Sequence, residues 1–268
     1  MVFFDRASTF RLIQITDTHL SATKDGHLLG MNTLDSLRCV LDIIRADHQD
    51  MDALLVTGDL SQDGSSESYR YLKAELEPFA VPSFWIPGNH DDLDSMAAVT
   101  DGTGLQDRIL RTPHWQVVML DSRVAGKVHG ELSDTELARL ESALSEAPEL
   151  HTLVCFHHHP VSMQCRWIDT IGLRNSAELM SVVSRFANVR GLLWGHVHQQ
   201  SDQMVGDLRL LSTPSTCVQF APNTVEFTID RLSPGFRWLD LLPDGQIETD
   251  IKRVEHIEFE VDYSVKGY

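Results

Sequence analysis

Five times along this chain a short apolar run ends on side chains that carry lone pairs. Asp17-Thr18-His19 follows the run from Arg11 to Ile15, and Gly58-Asp59 follows Ala53–Thr57. Gly88-Asn89-His90-Asp91 closes Ser83–Ile86, His157-His158-His159-Pro160 follows Thr152–Phe156, and Gly195-His196-Val197-His198 follows Val189–Trp194. Each run is short enough for a strand and is bounded by turn residues. Helical patterns separate them. Leu34, Leu37, Val40, Leu41 and Ile44 share one face, as do Tyr69, Leu72, Leu76 and Phe79. Ser133-Asp134-Thr135-Glu136 reads as a capping box opening a helix with Leu137, Leu140 and Leu144 inward. A further strand is expected at Trp115–Leu120 and a further helix at Ser176–Phe186.

Strand–helix alternation predicts an α/β fold, in which ligands gather at the carboxyl ends of the strands. The five motifs are therefore expected to converge. After His198 the alternation stops: Leu208–Leu211, Phe236–Leu242 and Ile247–Val254 read as strands without intervening helices. That change suggests stacked layers, with helices outside two central sheets.

The converging atoms define the chemistry. Asp17, Asp59 and Asn89 offer oxygens; His19, His157, His196 and His198 offer imidazole nitrogens. No thiolate belongs to the set, which argues against a structural zinc site. Mixed carboxylate and imidazole donors suit iron or manganese, with zinc as a further option. Seven ligands exceed one ion and suit two, if one carboxylate bridges. Two metals clamp a phosphoryl group and generate a nucleophile near neutral pH. Taken singly, each motif has a bland reading: an ordinary turn, a helix cap, a solvated histidine loop. Jointly those readings need five unrelated accidents, all at strand ends.

The order D-x-H, G-D, G-N-H-[DE], H and G-H-x-H resembles the calcineurin-like metallophosphoesterases. Longer strings extend the resemblance to their class III cyclic nucleotide phosphodiesterase branch, which includes bacterial 3′,5′-cyclic AMP phosphodiesterases. They are Thr16–Leu20, Val56–Gly64, Ile171–Asn175 and Ser212–Phe220. The resemblance implies a four-layer αββα sandwich formed as a single domain over 1–268, with 208–268 completing the second sheet and supplying a C-terminal tail. It implies one metal held by Asp17, His19, Asp59 and His198. A second is implied at Asp59, Asn89, His157 and His196, with His157 taken as the ligand of its run. The implied reaction is hydrolysis of 3′,5′-cyclic AMP to 5′-AMP, with a hydroxide between the metals as nucleophile and His90 as proton or hydrogen-bond donor. His19, Asn89, His158 and Arg174 are further candidates for substrate contact. Asn175 is a candidate helix cap, Asp63 a loop-ordering residue, and Trp167 a core or stacking residue.

Other readings of the same motifs are 2′,3′-cyclic nucleotide or glycerophosphodiester hydrolysis, phosphomonoester hydrolysis, and a scaffold without catalysis. The scaffold is disfavoured because every donor is present, and a purple acid phosphatase because no tyrosine lies near the motifs. With 22 basic against 39 acidic residues, the net charge of −17 disfavours nucleic acid and anionic membranes as partners. The four cysteines, Cys39, Cys155, Cys165 and Cys217, show no pairing or metal spacing. With no signal-like or membrane-spanning segment, they suggest a reducing cytoplasm. Oligomeric state is left open.

Overall fold

The computed structural model describes residues 1–267, and in it successive residues of each central strand enter two different apolar layers. On the strand Phe10–Ile15, Phe10 and Leu12 join one core while Ile13 and Ile15 join another. Ala53–Thr57 divides likewise, with Leu55 on one side and Leu54 and Val56 on the other. Both faces are buried, so these strands read as continuous apolar runs rather than alternating ones.

In chain order the strands are β1 (Val2–Phe3), β2 (Phe10–Ile15), β3 (His27–Leu28), β4 (Met31–Asn32), β5 (Ala53–Thr57), β6 (Ser83–Ile86) and β7 (Ile109–Arg111). They continue as β8 (Trp115–Met119), β9 (His151–Phe156), β10 (Val189–Trp194), β11 (Ser201–Val205), β12 (Leu208–Ser212), β13 (Gly235–Leu241) and β14 (Ile247–Arg253). The helices are α1 (Thr33–Asp47), α2 (Ser66–Leu76), α3 (Leu93–Thr100), α4 (Asp134–Glu146), α5 (Arg166–Asp169) and α6 (Ser176–Val183).

One sheet runs β14-β13-β2-β5-β6 and the other β1-β7-β8-β9-β10-β12-β11. Between them lies a core that includes Leu12, Leu55, Met119, Leu153, Leu193 and Leu239. The outer face of the five-stranded sheet packs on α1, α2 and α3 through Leu37, Val40, Leu72 and Met96. The outer face of the seven-stranded sheet packs on α4 and α6 through Leu140, Leu144 and Leu179. This is the four-layer αββα arrangement expected from the sequence. In β2-β5-β6 and in β8-β9-β10-β12 neighbouring strands run parallel. Their carboxyl ends therefore come together in each sheet.

Three details differ from expectation. The strands expected from residue 208 onward are divided between the sheets: β12 pairs with β10, while β13 and β14 extend the five-stranded sheet beside β2. Ser133 caps α4 by accepting from the Glu136 N–H, but the Glu136 carboxylate turns to the Asp121 N–H instead of closing a box. Asn175 stands at the start of α6 without capping it; its amide pairs with the Leu132 N–H and C=O. Among the described residues, no helix is long and apolar enough to cross a membrane.

Candidate metal centre

The donors leave both sheets within a few residues of the strand ends. Asp17, Asp59 and Asn89 follow β2, β5 and β6; His157 follows β9, and His196 and His198 follow β10. Asp17, His19 and His198 present ligand atoms within 4.8 Å of one another, as do Asp17, Asp59 and His157. Two further groups, His19–Asp59–His90 and His157–His158–His196, meet the same limit. Asp59 stands within reach of both His19 and His157, the position a bridging carboxylate needs.

The backbone takes unusual conformations to achieve this. Asp17, His19, Asp59, His196 and His198 all have positive φ, between 45° and 67°. For residues with a β-carbon this costs roughly 1–2 kcal/mol each. Two glycines let the loops approach closely. A β-carbon on Gly88 would lie 2.7 Å from His157 Nε2, and one on Gly195 would lie 2.8 Å from Asp17 Oδ2.

Hydrogen bonds fix the rings with one nitrogen turned inward. His157 Nδ1 faces the Thr57 carbonyl at 2.8 Å, His198 Nδ1 the Val218 carbonyl at 2.7 Å, and His19 Nδ1 the Gln62 Oε1 at 2.7 Å. His196 faces the Ile171 carbonyl with Nε2 at 3.1 Å, which leaves Nδ1 for the site. An imidazole that gives its proton to an oxygen presents a lone pair at the other nitrogen. Such outward partners are the usual means of orienting metal-ligating histidines.

The residues fit a metal pair on two grounds. His19 Nε2 and His198 Nε2 converge to 3.2 Å while the Nδ1 of each ring is engaged outward, the placement two ligands of one ion need. Moreover, Asn89 Oδ1 and His157 Nε2 are buried without a hydrogen-bond partner among the described residues. His157 Nε2 is 3.2 Å from Asp59 Oδ2 but off the hydrogen-bond axis.

The electrostatics agree. Burial disfavours the Asp17 and Asp59 carboxylates, yet neighbouring histidines outweigh it and hold both below the ordinary carboxylate pKa. Burial pushes His19 down to about 3 and drives His196 well below its usual value, so both rings are neutral donors. On His157, burial is overcome by Asp59 and Asp17, which raise it to about 9.

His158 departs from its expected part in substrate contact. Its Nδ1 meets Ser122 Oγ at 2.8 Å and its Nε2 meets the Val128 carbonyl at 3.1 Å, so both nitrogens are already engaged. The same Ser122 oxygen accepts the His157 and His158 N–H groups, setting the turn that aims His157 inward. Arg174 is not part of the donor cluster. It bonds the Thr170 carbonyl at 3.0 Å and lines a separate cavity of about 270 Å³ with His159 and Asp169. Trp167 packs against Phe220 and Phe227. Asp63 orders its loop, accepting from Ala22 N and from both the N–H and hydroxyl of Ser65.

Sequence reasoning passed over Asp91. Its buried carboxylate accepts from Leu60 N (3.1 Å), Ser61 N (2.9 Å), Gly88 N (2.8 Å) and Tyr69 Oη (3.0 Å). It thereby ties the loop carrying Asp59 to the loop carrying Asn89. The signal was present in the Gly88–Asp91 motif, whose acidic residue has no other evident task. His90 donates its N–H to Asp59 Oδ1 at 2.9 Å, and its ring stands 5.0 Å from that of His19.

Comparison with known proteins follows the same lines. The calcineurin-like phosphoesterase family profile matches residues 10–200. The 3′,5′-cyclic adenosine monophosphate phosphodiesterase CpdA of Pseudomonas aeruginosa is 46% identical over 257 residues, covering 96% of this chain and 94% of that protein. Its counterpart in Escherichia coli strain K12 is 44% identical over 260 residues, with the same coverage of each. Among solved structures, a dimetal phosphatase from Danio rerio superposes with a TM-score of 0.62 at 16% identity, covering 92% of this chain and 100% of that one. At that identity the likeness concerns the fold alone.

Proposed function

The chain belongs to the calcineurin-like phosphoesterase family, and on that premise we propose that it hydrolyses 3′,5′-cyclic AMP to 5′-AMP at a two-metal centre between its sheets. The observation that carries the substrate is the extent of the similarity. Identity of 44–46% to two bacterial cyclic AMP phosphodiesterases spans 96% of the chain, well past the metal motifs that end at His198.

In this reading Asp17, His19, Asp59 and His198 hold one ion, and Asp59, Asn89, His157 and His196 the other. The mixed oxygen and nitrogen donors favour iron or manganese, with zinc as a further option. Two such ions, when bound, neutralise the phosphodiester charge and acidify a water enough for it to attack near neutral pH. The chain's own part is to hold the phosphorus in place and handle the proton. The carbonyls of Thr57, Val218 and Ile171 keep three rings aimed inward, which orients them for the ions in advance. His90, anchored through its N–H to Asp59, donates a proton to the departing 3′ oxygen. The water oxygen bonds to phosphorus as the P–O3′ bond breaks, leaving a free 3′ hydroxyl and a 5′ phosphate.

The four cysteines are unpaired thiols, which supports a reducing, cytoplasmic setting. The charge of −17 supports a small-molecule substrate over nucleic acid.

The test is a substrate panel with the purified protein and added manganese: 3′,5′-cyclic AMP, 3′,5′-cyclic GMP, 2′,3′-cyclic AMP, glycerophosphodiesters and a phosphomonoester. The highest kcat/KM on 3′,5′-cyclic AMP, with 5′-AMP as sole product, is expected. Preference for a 2′,3′-cyclic nucleotide or a glycerophosphodiester would retain the centre and reject the substrate.

A further inference from the structure

The layer between the sheets is apolar along most of its length and turns polar just beneath the metal centre. On β2 Leu12 gives way to Gln14, with Thr16 just past the strand, and on β5 Leu55 gives way to Thr57. Past β12 Leu211 gives way to Thr213. On the antiparallel β13, Leu239 is followed toward the same end by Arg237, which pairs in register with Gln14. All of these polar side chains are buried.

They form one continuous hydrogen-bonded chain that crosses from sheet to sheet. Arg237 Nε donates to Thr213 Oγ1 at 3.2 Å, and the Thr213 hydroxyl donates to Gln14 Oε1. Gln14 Nε2 donates to Thr57 Oγ1 at 2.7 Å and lies 3.4 Å from the Trp194 carbonyl. A carbonyl only accepts, so the amide orientation is fixed. The far end of the chain is the Thr57 peptide, whose carbonyl takes the His157 Nδ1 proton at 2.8 Å and is 3.1 Å from Thr16 Oγ1. Thr16 in turn donates to Asp17 Oδ2 at 2.7 Å.

Arg237 is the anomaly that requires an explanation. It is 2% exposed, and its hydrogen-bond acceptors are all uncharged oxygens: Thr213, Thr249 and the carbonyls of Ser201 and Ser212. A hydrocarbon side chain would fill the layer without the cost of burying a charge. What the guanidinium adds is a rigid fork that grips β12 and the start of β11 from a strand of the other sheet.

We propose that Arg237 and Gln14 are positioning residues of the metal centre, fixing the spacing of the two sheets where each supplies part of the ligand set. Asp17, His19, Asp59 and Asn89 follow strands of the five-stranded sheet, His157, His196 and His198 strands of the seven-stranded one. The strut sets the distance between them. This inference rests on the two-metal reading.

The test measures manganese(II) affinity of the metal-stripped full chain by calorimetric titration. Arg237→Met, Gln14→Leu and the near-isosteric Thr213→Val are compared with Leu144→Ala, which thins the core on the outer face of the seven-stranded sheet. The strut variants are expected to weaken manganese binding by roughly tenfold to a hundredfold, as losses in outer-shell partners do. Thr213→Ser, which keeps the hydroxyl, is expected to bind as the unaltered protein does. Combining Arg237→Met with Gln14→Leu is expected to lose little more than the worse single variant, because both act through one chain. Leu144→Ala is expected to lower the Tm without changing affinity. Strut variants that lose Tm but keep full manganese affinity would overturn the inference and leave the two-metal reading standing. Failure of the unaltered chain to bind manganese would overturn both. If Arg237→Met does not fold, the Thr213→Val and Thr213→Ser pair decides the question.

Discussion

Asp91→Asn isolates the value of one buried acceptor. In the structure one carboxylate oxygen serves Ser61 N and Tyr69 Oη, and the other serves Leu60 N and Gly88 N. An amide keeps only one of those oxygens. Its better orientation puts the NH2 toward Tyr69, whose hydroxyl can turn to accept, and sacrifices the Ser61 N–H. The opposite orientation would orphan two backbone donors. Leaving one buried N–H unpaired costs roughly 1–3 kcal/mol, and the remaining bonds fall from charged to neutral strength, each weaker by about 1 kcal/mol. Relief of the buried charge offsets part of this: burial, aided by Asp59, already raises the Asp91 pKa to about 6. A net loss of roughly 2–4 kcal/mol follows. In a domain of this size that lowers the Tm by roughly 5–15 °C. Because the same oxygens brace the Asp59 and Asn89 loops, manganese affinity is expected to fall as well. Calorimetric melting of the metal-stripped protein measures the first effect and titration the second. An Asn variant that melts within about one degree of the parent would refute the donor count, since at least one buried donor must lose its acceptor.

Other outcomes follow from the same geometry. His90→Ala is expected to lower turnover by roughly 10²–10⁴-fold, as loss of a general acid does, while both metals stay bound; metal analysis of the variant checks the separation, and lost metal contradicts the assigned role. Gly195→Ala places a β-carbon against Thr16 and Asp17 and is expected to cost roughly 1–3 kcal/mol by overpacking, with reduced metal content; an unaffected variant would show that the loop has room. At mildly alkaline pH a thiol reagent is expected to modify half-buried Cys39 and to spare Cys155, Cys165 and Cys217 until the chain unfolds. All three are buried, and burial also pushes the Cys217 thiol up to about 12. Mass spectrometry of the native protein reads this directly, and prompt modification of Cys217 would contradict it.

The layers were legible because burial on both faces leaves a plain mark, a short run of apolar residues such as Ala53–Leu55-Val56 closed by a glycine. Strand pairing left no such mark. β11 is largely exposed, with the sequence Ser-Asp-Gln-Met-Val, and nothing local shows that β12 returns beside β10 while β13 crosses to β2. The two-residue strands and α5 are too short for periodicity to register. At the site, donor side chains announce themselves by type and spacing. The groups that aim them do not: the carbonyls of Thr57, Val218 and Ile171 belong to backbone that every residue has. His158 shows the same limit, since its neighbour's role and its own differ only in which way each ring points.

The most direct test of the central claim is a crystal structure of the manganese-loaded protein with anomalous scattering recorded at the manganese edge. The account predicts two peaks roughly 3.5–4 Å apart, the separation typical of two-metal phosphoryl-transfer sites, bridged by Asp59 and ligated by Asn89 and His157. A single peak, or a metal ligated by His158 in place of His157, would contradict it.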